Sequence, residues 1–97
     1  MTTFITLIRY TQQGVQNMKE NPIRLDRVRE ALEAAGGEFK GFYLTMGRYD
    51  AVVITEIPDD REYMKTIMKM AAAGTVQTET LRAFPEDESR EIISDLS

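Results

Sequence analysis

The segment Ala51-Val52-Val53-Ile54-Thr55-Glu56-Ile57 constrains the fold more than any other part of the chain. Its β-branched residues mark a strand, and strand side chains alternate between two faces. One face carries Ala51, Val53 and Ile57, and the other carries Val52 and Ile54. Phe4-Ile5-Thr6-Leu7-Ile8-Arg9-Tyr10 behaves the same way, with Phe4, Ile8 and Tyr10 on one side and Ile5 and Leu7 on the other. An antiparallel sheet with a solvated face concentrates its apolar residues on the opposite face. Both strands therefore belong in a sheet that is covered twice.

The remaining segments supply one layer of cover. A break at Thr11-Gln12-Gln13-Gly14 is followed by an expected short helical turn from Gln16 to Glu20. Asn21-Pro22 reads as an N-cap with proline at the first helical position. Leu25, Val28, Leu32 and Ala35 then form an apolar helical stripe that Gly36-Gly37 ends. Phe39 to Met46 reads as a second strand, joined to 51–57 by the turn Gly47-Arg48-Tyr49-Asp50 in an antiparallel hairpin. After Pro58, Asp59 and Glu62 are spaced as a capping box for a second helix, whose stripe is Met64, Ile67, Met68 and Ala71 and whose stop is Gly74. Val76 to Phe84 is a fourth strand, polar enough for a sheet edge. Pro85 and the acids after it start a short C-terminal helix with Ile92, Ile93 and Leu96 on one side.

The order β-α-β-β-α-β plus a terminal helix predicts an α+β fold, a ferredoxin-like sandwich with an antiparallel sheet. Residues 1–97 are expected to form a single domain, because a second independent core does not fit. Both main helices then lie on one sheet face. The terminal helix is too short to cover the other, and leaving several large side chains wet forgoes roughly 1.5–3 kcal/mol each. A second copy applied sheet to sheet is the economical cover, so a homodimer is expected, with a higher oligomer left open.

Composition narrows the function. The chain has 16 acidic and 12 basic residues and a formal charge of −4. Without a Lys/Arg cluster, a nucleic-acid partner is disfavoured. Cysteine and histidine are both absent. That removes disulfides, a thiolate nucleophile, and the commonest general base and metal or haem ligand. No metal and no cofactor are expected, and no P-loop or Gly-x-Gly-x-x-Gly occurs. No segment approaches the roughly eighteen apolar residues of a membrane span, and a cytoplasmic location is expected.

The sharpest local feature is Gly47-Arg48-Tyr49-Asp50. Either Asp50 is a base or ligand anchor with Tyr49 as hydrogen-bond donor, or Gly47 shapes a turn whose amides Asp50 accepts, the simpler reading. Tyr10, Phe42 and Tyr43 either line a pocket between sheet and helices or serve as core and interface aromatics. Met64, Met68 and Met70, with Met46 in the hairpin, offer a soft ligand surface or plain helix core. Arg9 and Arg82, on strands expected to be neighbours, either hold a carboxylate or pair with Glu56 or Glu79. Asp59-Asp60 reads as a helix cap rather than a metal site.

Gly41-Phe42-Tyr43-Leu44-Thr45-Met46-Gly47-Arg48-Tyr49-Asp50 resembles the hallmark of the GYD-domain proteins, a glycine and then Tyr-Asp at a hairpin. Here Arg48 stands between the glycine and the tyrosine. The resemblance extends to Tyr10-Thr11-Gln12-Gln13-Gly14, Pro58-Asp59-Asp60 and Thr78-Glu79-Thr80-Leu81-Arg82-Ala83-Phe84. It implies the dimeric α+β barrel superfamily, in which two sheets face each other. Superfamily relatives include cofactor-independent monooxygenases, lactone isomerases, haem enzymes and amino-acid-sensing domains, so the resemblance alone names no reaction.

Two functions are carried forward. The preferred one is a homodimeric module for sensing, interaction or binding a small apolar molecule, with Tyr10, Phe42, Tyr43 and Arg82 as ligand-binding candidates. The alternative is a cofactor-independent enzyme, monooxygenase- or isomerase-like, with Asp50, Tyr49 or Tyr43 moving the proton. The first is preferred because no set of mutually positioned catalytic groups is visible.

Overall fold

The computed structural model describes residues 1–96. The chain runs β1 (Thr2–Tyr10), α1 (Gln12–Gln16), a 3-10 turn (Met18–Glu20), α2 (Asn21–Ala34), β2 (Glu38–Leu44), β3 (Ala51–Ile57), α3 (Asp60–Ala72), β4 (Val76–Ala83) and α4 (Glu86–Ser94). The four strands form one antiparallel sheet in the order β2-β3-β1-β4. This is the ferredoxin-like α+β arrangement. The two strands that are apolar on both faces occupy its centre, and the polar β4 takes an edge.

Register assigns the faces. Ile8 lies opposite Ala51, Thr6 opposite Val53 and Phe4 opposite Thr55, all on the side that carries α2 and α3. Ile8, Ala51 and Val53 form one buried cluster, joined by Phe39, Phe42 and Met70. Leu32, Ile57 and Tyr63 form a second, against which Phe4, Val28 and Ile67 pack. The Phe4 and Tyr63 rings stack with centroids 4.6 Å apart. The Tyr63 hydroxyl shares a buried hydrogen bond with Thr6 Oγ1, so neither polar atom is stranded in the core.

Three local expectations are corrected. The inner face of α3 runs through Tyr63, Ile67 and Met70, while Met64 and Met68 are 58% and 64% exposed. Tyr63 takes the inward position because Phe4 receives its ring and Thr6 its hydroxyl. Asn21 lies within α2 with helical φ −56, and Glu20 occupies the cap position without a side-chain bond. The preceding 3-10 turn leads directly into the helix, and Pro22 still sits in its first turn, where a missing N–H costs nothing. The second strand ends at Leu44 rather than Met46. Thr45 already closes the hairpin loop, its N–H donating to the Asp50 carbonyl at 2.9 Å and its hydroxyl to the Tyr49 carbonyl at 2.6 Å.

Thr11-Gln12-Gln13-Gly14 is also no simple break. Thr11 caps α1, its Oγ1 accepting from the Gly14 amide at 3.1 Å. Gly14 is buried against the backbone that enters β4, where an added Cβ would lie 2.1 Å from the Thr75 carbonyl oxygen. Asp59 caps α3 as expected, with Oδ1 accepting from the Arg61 amide at 2.9 Å, but the capping box does not close, because the Glu62 carboxylate pairs with Lys65 at 3.0 Å instead.

Neither main helix covers the opposite sheet face, whose central Ile5, Leu7, Val52 and Ile54 are partly exposed. Gly41, Ile54, Ile5 and Leu81 form one row across the four strands, and Tyr43, Val52, Leu7 and Glu79 form the next. Tyr43 is 58% exposed and Leu81 45%. The apolar side chains of α4 do not bury themselves on this face, Ile92 and Ile93 being 47% and 64% exposed. The molecule measures 51 × 32 × 18 Å, its shortest dimension being that of two layers. Its radius of gyration, 14.6 Å, exceeds the ~13 Å usual at this length.

Candidate functional site

A cavity of about 390 Å³ lies between the sheet and the two main helices. Its floor is Ile8, Tyr10, Phe42 and Val76, because Ile8 and Tyr10 of β1 and, after the bulge between Phe39 and Gly41, Phe42 of β2 point to the helix side. Leu25, Val28 and Ala31 of α2 and Met70 of α3 wall it. These residues recur at helical spacing, which brings one apolar stripe over the floor. Ala31 and Ala73 leave room that longer side chains would fill.

One polar atom stands out inside. The Tyr10 hydroxyl is shielded from solvent and has no hydrogen-bond partner. Burial holds its pKa above the ordinary tyrosine value, opposed by the nearby Asn21 side-chain amide, which approaches the hydroxyl without making a well-formed hydrogen bond, and by the charge of Arg24, so it is a protonated donor at neutral pH. Asn21 and Arg24 come from the first turn of α2, and Lys69 comes from α3. Sequence reading places Tyr10 and Phe42 at a pocket but misses these three. Their only sequence signal is position: Asn21 and Arg24 each stand four residues before a stripe residue, Leu25 and Val28, and Lys69 adjoins Met70.

Tyr43 and Arg82 lie elsewhere. Tyr43 is one residue from Phe42 and so points to the helix-free face. A Cβ on Gly41 would meet its ring at 3.1 Å, which places the ring over that glycine. Arg82 pairs with Phe4 in register, toward the other end of β1 from Tyr10. Its guanidinium sits 4.2 Å over the Phe84 ring and donates to the Ala83 carbonyl. Arg9 is likewise distant from Arg82, its register partner being Gln77. Arg9 Nε donates to the Arg48 carbonyl at 3.1 Å and its guanidinium lies 5.0 Å from the Tyr49 ring. The expected pairing of these arginines with Glu56 or Glu79 does not form among the described residues. Glu56 lies 3.8 Å from Lys40, and Glu79 accepts from the Tyr49 hydroxyl.

The hairpin tip is organised for attachment. Gly47 has φ +112, a backbone conformation that side chains disfavour. The Tyr49 hydroxyl reaches Glu79 of β4, and that hydrogen bond is the main cause of its raised pKa. Asp50 is exposed, and its Oδ2 accepts from the Tyr10 amide at 2.9 Å while its own amide donates to the Ile8 carbonyl at 2.8 Å. The carboxylate therefore extends the β1–β3 ladder by one step, instead of satisfying its own turn. Tyr43, Tyr49 and Asp50 do not converge on one point. Asp50→Asn is expected to lower unfolding stability by about 1 kcal/mol, through loss of this charge-assisted bond at an exposed position. Urea denaturation followed by circular dichroism checks it, and an unchanged midpoint would deny Asp50 this anchoring role.

Among the described residues no cluster of acidic, cysteine or histidine side chains could hold a metal ion. No described helix is long and apolar enough to cross a membrane.

Comparison with known proteins adds three findings. The family described as GYD domain matches residues 4–93. A curated relative in Thermus thermophilus, described as glutamine synthetase and cystathionine beta-lyase binding protein, is 34% identical over 86 residues, covering 88% of this chain and 90% of that one. The crystal structure of TTHA0845, also from Thermus thermophilus, is similar with a TM-score of 0.54 at 26% identity, covering 87% of this chain and 94% of the other.

Proposed function

This chain belongs to the GYD domain family, and on that premise we propose that it is a homodimeric binding module whose helix-side cavity receives a small, mostly apolar molecule. The observation that carries the reading is the Tyr10 hydroxyl, buried without a partner in an otherwise apolar cavity. A buried donor left unpaired costs roughly 1–3 kcal/mol. A guest that accepts its hydrogen bond recovers that cost and gains an orientation from it. Apolar walls with a few placed polar groups are the usual make-up of small-molecule sites.

Dimerisation is supported by the partly exposed apolar centre of the other sheet face, Ile5, Leu7, Val52 and Ile54, which neither main helix covers. The two features are compatible, because the cavity opens on the helix side and the second copy would occupy the helix-free side. The enzyme alternative has weaker support: Asp50 is engaged by the Tyr10 amide and Tyr49 by Glu79, so neither is poised over the cavity.

The name of the Thermus relative favours a second reading, attachment to other proteins. Here the fully exposed Met46 at the hairpin tip and the exposed Met64 and Met68 offer adaptable apolar contacts.

Tyr10→Phe separates a ligand-facing hydroxyl from a structural one. The variant is expected to melt at or above the wild-type temperature, because it removes an unsatisfied buried group. In a thermal-shift screen of small apolar metabolites bearing one hydrogen-bond acceptor, it is expected to lose stabilisation that the wild type shows. A wild type that responds to none of them, or a variant that responds equally, would overturn the cavity reading.

A further inference from the structure

We propose that the ligand of this cavity is an amphipathic anion, an apolar body ending in a carboxylate or a comparable acidic head; the inference rests on the binding reading above. The argument starts from charge placement. The chain carries 16 acidic and 12 basic residues, yet the cavity lining includes Arg24, Arg27 and Lys69 and no carboxylate. An acidic protein has concentrated cations at this apolar opening between its sheet and helices.

These cations are largely free to engage a guest. Arg24 lies 3.8 Å from the exposed Glu20 carboxylate and donates to the Asn17 carbonyl at 3.2 Å, which leaves further guanidinium N–H groups available. Arg27 and Lys69 enter no ion pair among the described residues. The carboxylate whose charge reaches Tyr10 is Asp50, and it is already held by the Tyr10 amide.

The polar groups also lie in an order that suits such a molecule. Ile8, Phe42, Leu25, Val28 and Met70 would surround the body. The Tyr10 hydroxyl, a donor in need of an acceptor, and the Arg24 guanidinium, which only donates, both demand oxygen acceptors from the guest. A carboxylate offers two oxygens and a negative charge, and charge-assisted hydrogen bonds of this kind are roughly twice as strong as neutral ones. A cationic head would meet three like charges, and a neutral head would leave the guanidinium without its best partner.

Calorimetric titration of the intact protein with octanoate, octanol and octylammonium tests the assignment, since the three share one apolar body. At low ionic strength, octanoate is expected to bind about tenfold or more tighter than octanol, with octylammonium binding weakest. The double variant Arg24→Gln, Lys69→Gln is expected to reduce octanoate to the affinity of octanol while octanol binding persists, with melting temperature as a fold control. Ala31→Phe, which fills the cavity, is expected to abolish binding of both. Octanol binding as tightly as octanoate would overturn the anion and leave the cavity reading standing. Absence of binding by all three would overturn both, as would octanoate binding that Ala31→Phe leaves intact. An octanoate preference that survives the double variant would overturn the roles given to Arg24 and Lys69, and with them this proposal.

Discussion

Gly14→Ala is expected to cost about 3 kcal/mol of folding stability, a large fraction of the 5–15 kcal/mol typical of a whole domain. The new Cβ would stand 2.1 Å from the Thr75 carbonyl oxygen, 3.0 Å from its carbonyl carbon and 3.4 Å from its Cα. Even weakly attractive carbon–oxygen contacts settle near 3.3–3.6 Å, so backbone must move by more than an ångström. Both sides of the contact are pinned. The Thr11 amide donates to the Thr75 carbonyl at 3.0 Å, and the Thr11 hydroxyl donates to the Gly74 carbonyl at 2.7 Å. Relieving the clash therefore breaks the bonds that seat α1 on the entrance to β4. Alanine's better helix propensity returns only about 1 kcal/mol. Gly47→Ala is the control: that glycine has positive φ but nothing lies within 4 Å of its would-be Cβ, so only backbone strain of about 1–2 kcal/mol is incurred. Urea unfolding of both variants decides the matter. A Gly14→Ala midpoint equal to wild type would mean that α1 is not seated as described.

The contrast between these glycines shows what a sequence discloses and what it does not. Gly47 sits in a loop between two strands, and its role follows from neighbours within a few residues. Gly14 looks like the same kind of residue, but its reason is Thr75, distant in the chain and adjacent only after folding. The same division runs through the molecule. The two-faced apolarity of 51–57 and of 4–10 is a local pattern, and the strands that carry it are the two central ones. Tyr63 escapes a sequence reading because its partner Thr6 lies 57 residues away and its hydroxyl makes it look outward-facing. Asp50 reads as a turn residue, yet its bond goes to an amide 40 residues upstream. At the candidate site, aromatic character and strand alternation expose Tyr10 and Phe42. Arg24 and Lys69 carry no such mark, because a long cationic side chain beside a helical stripe reads as a solvated face whether or not it bends over a cavity.

Ile54→Lys is expected to separate the proposed dimer while leaving the subunit folded. Ile54 stands in the row Gly41–Ile54–Ile5–Leu81, beside the row that carries Val52 and Leu7, at the middle of the helix-free face. Charged groups bound this apolar centre at both ends. Glu38, Lys40 and Glu56 lie at one, with Lys40 3.2 Å from Glu38 and 3.8 Å from Glu56. Arg9, Tyr49 and Glu79 lie at the other. An apolar centre with a polar rim is the anatomy of an association surface. In a two-fold dimer the same patch faces itself, so one substitution introduces two like charges into the interface. Removing an unpaired charge from water costs several kcal/mol, and about 4 kcal/mol corresponds to roughly a thousandfold in dissociation constant. In the isolated subunit Ile54 is partly exposed, so lysine there can extend its ammonium into water. Sedimentation velocity at micromolar concentration is expected to show a dimer for wild type and a monomer for the variant, with matching far-ultraviolet circular dichroism. Glu38→Gln, at the rim, is expected to leave association within a few-fold of wild type. A wild type that sediments as a monomer would remove the dimer, and a variant that stays dimeric would move the interface to another face, with the cavity untouched in either case.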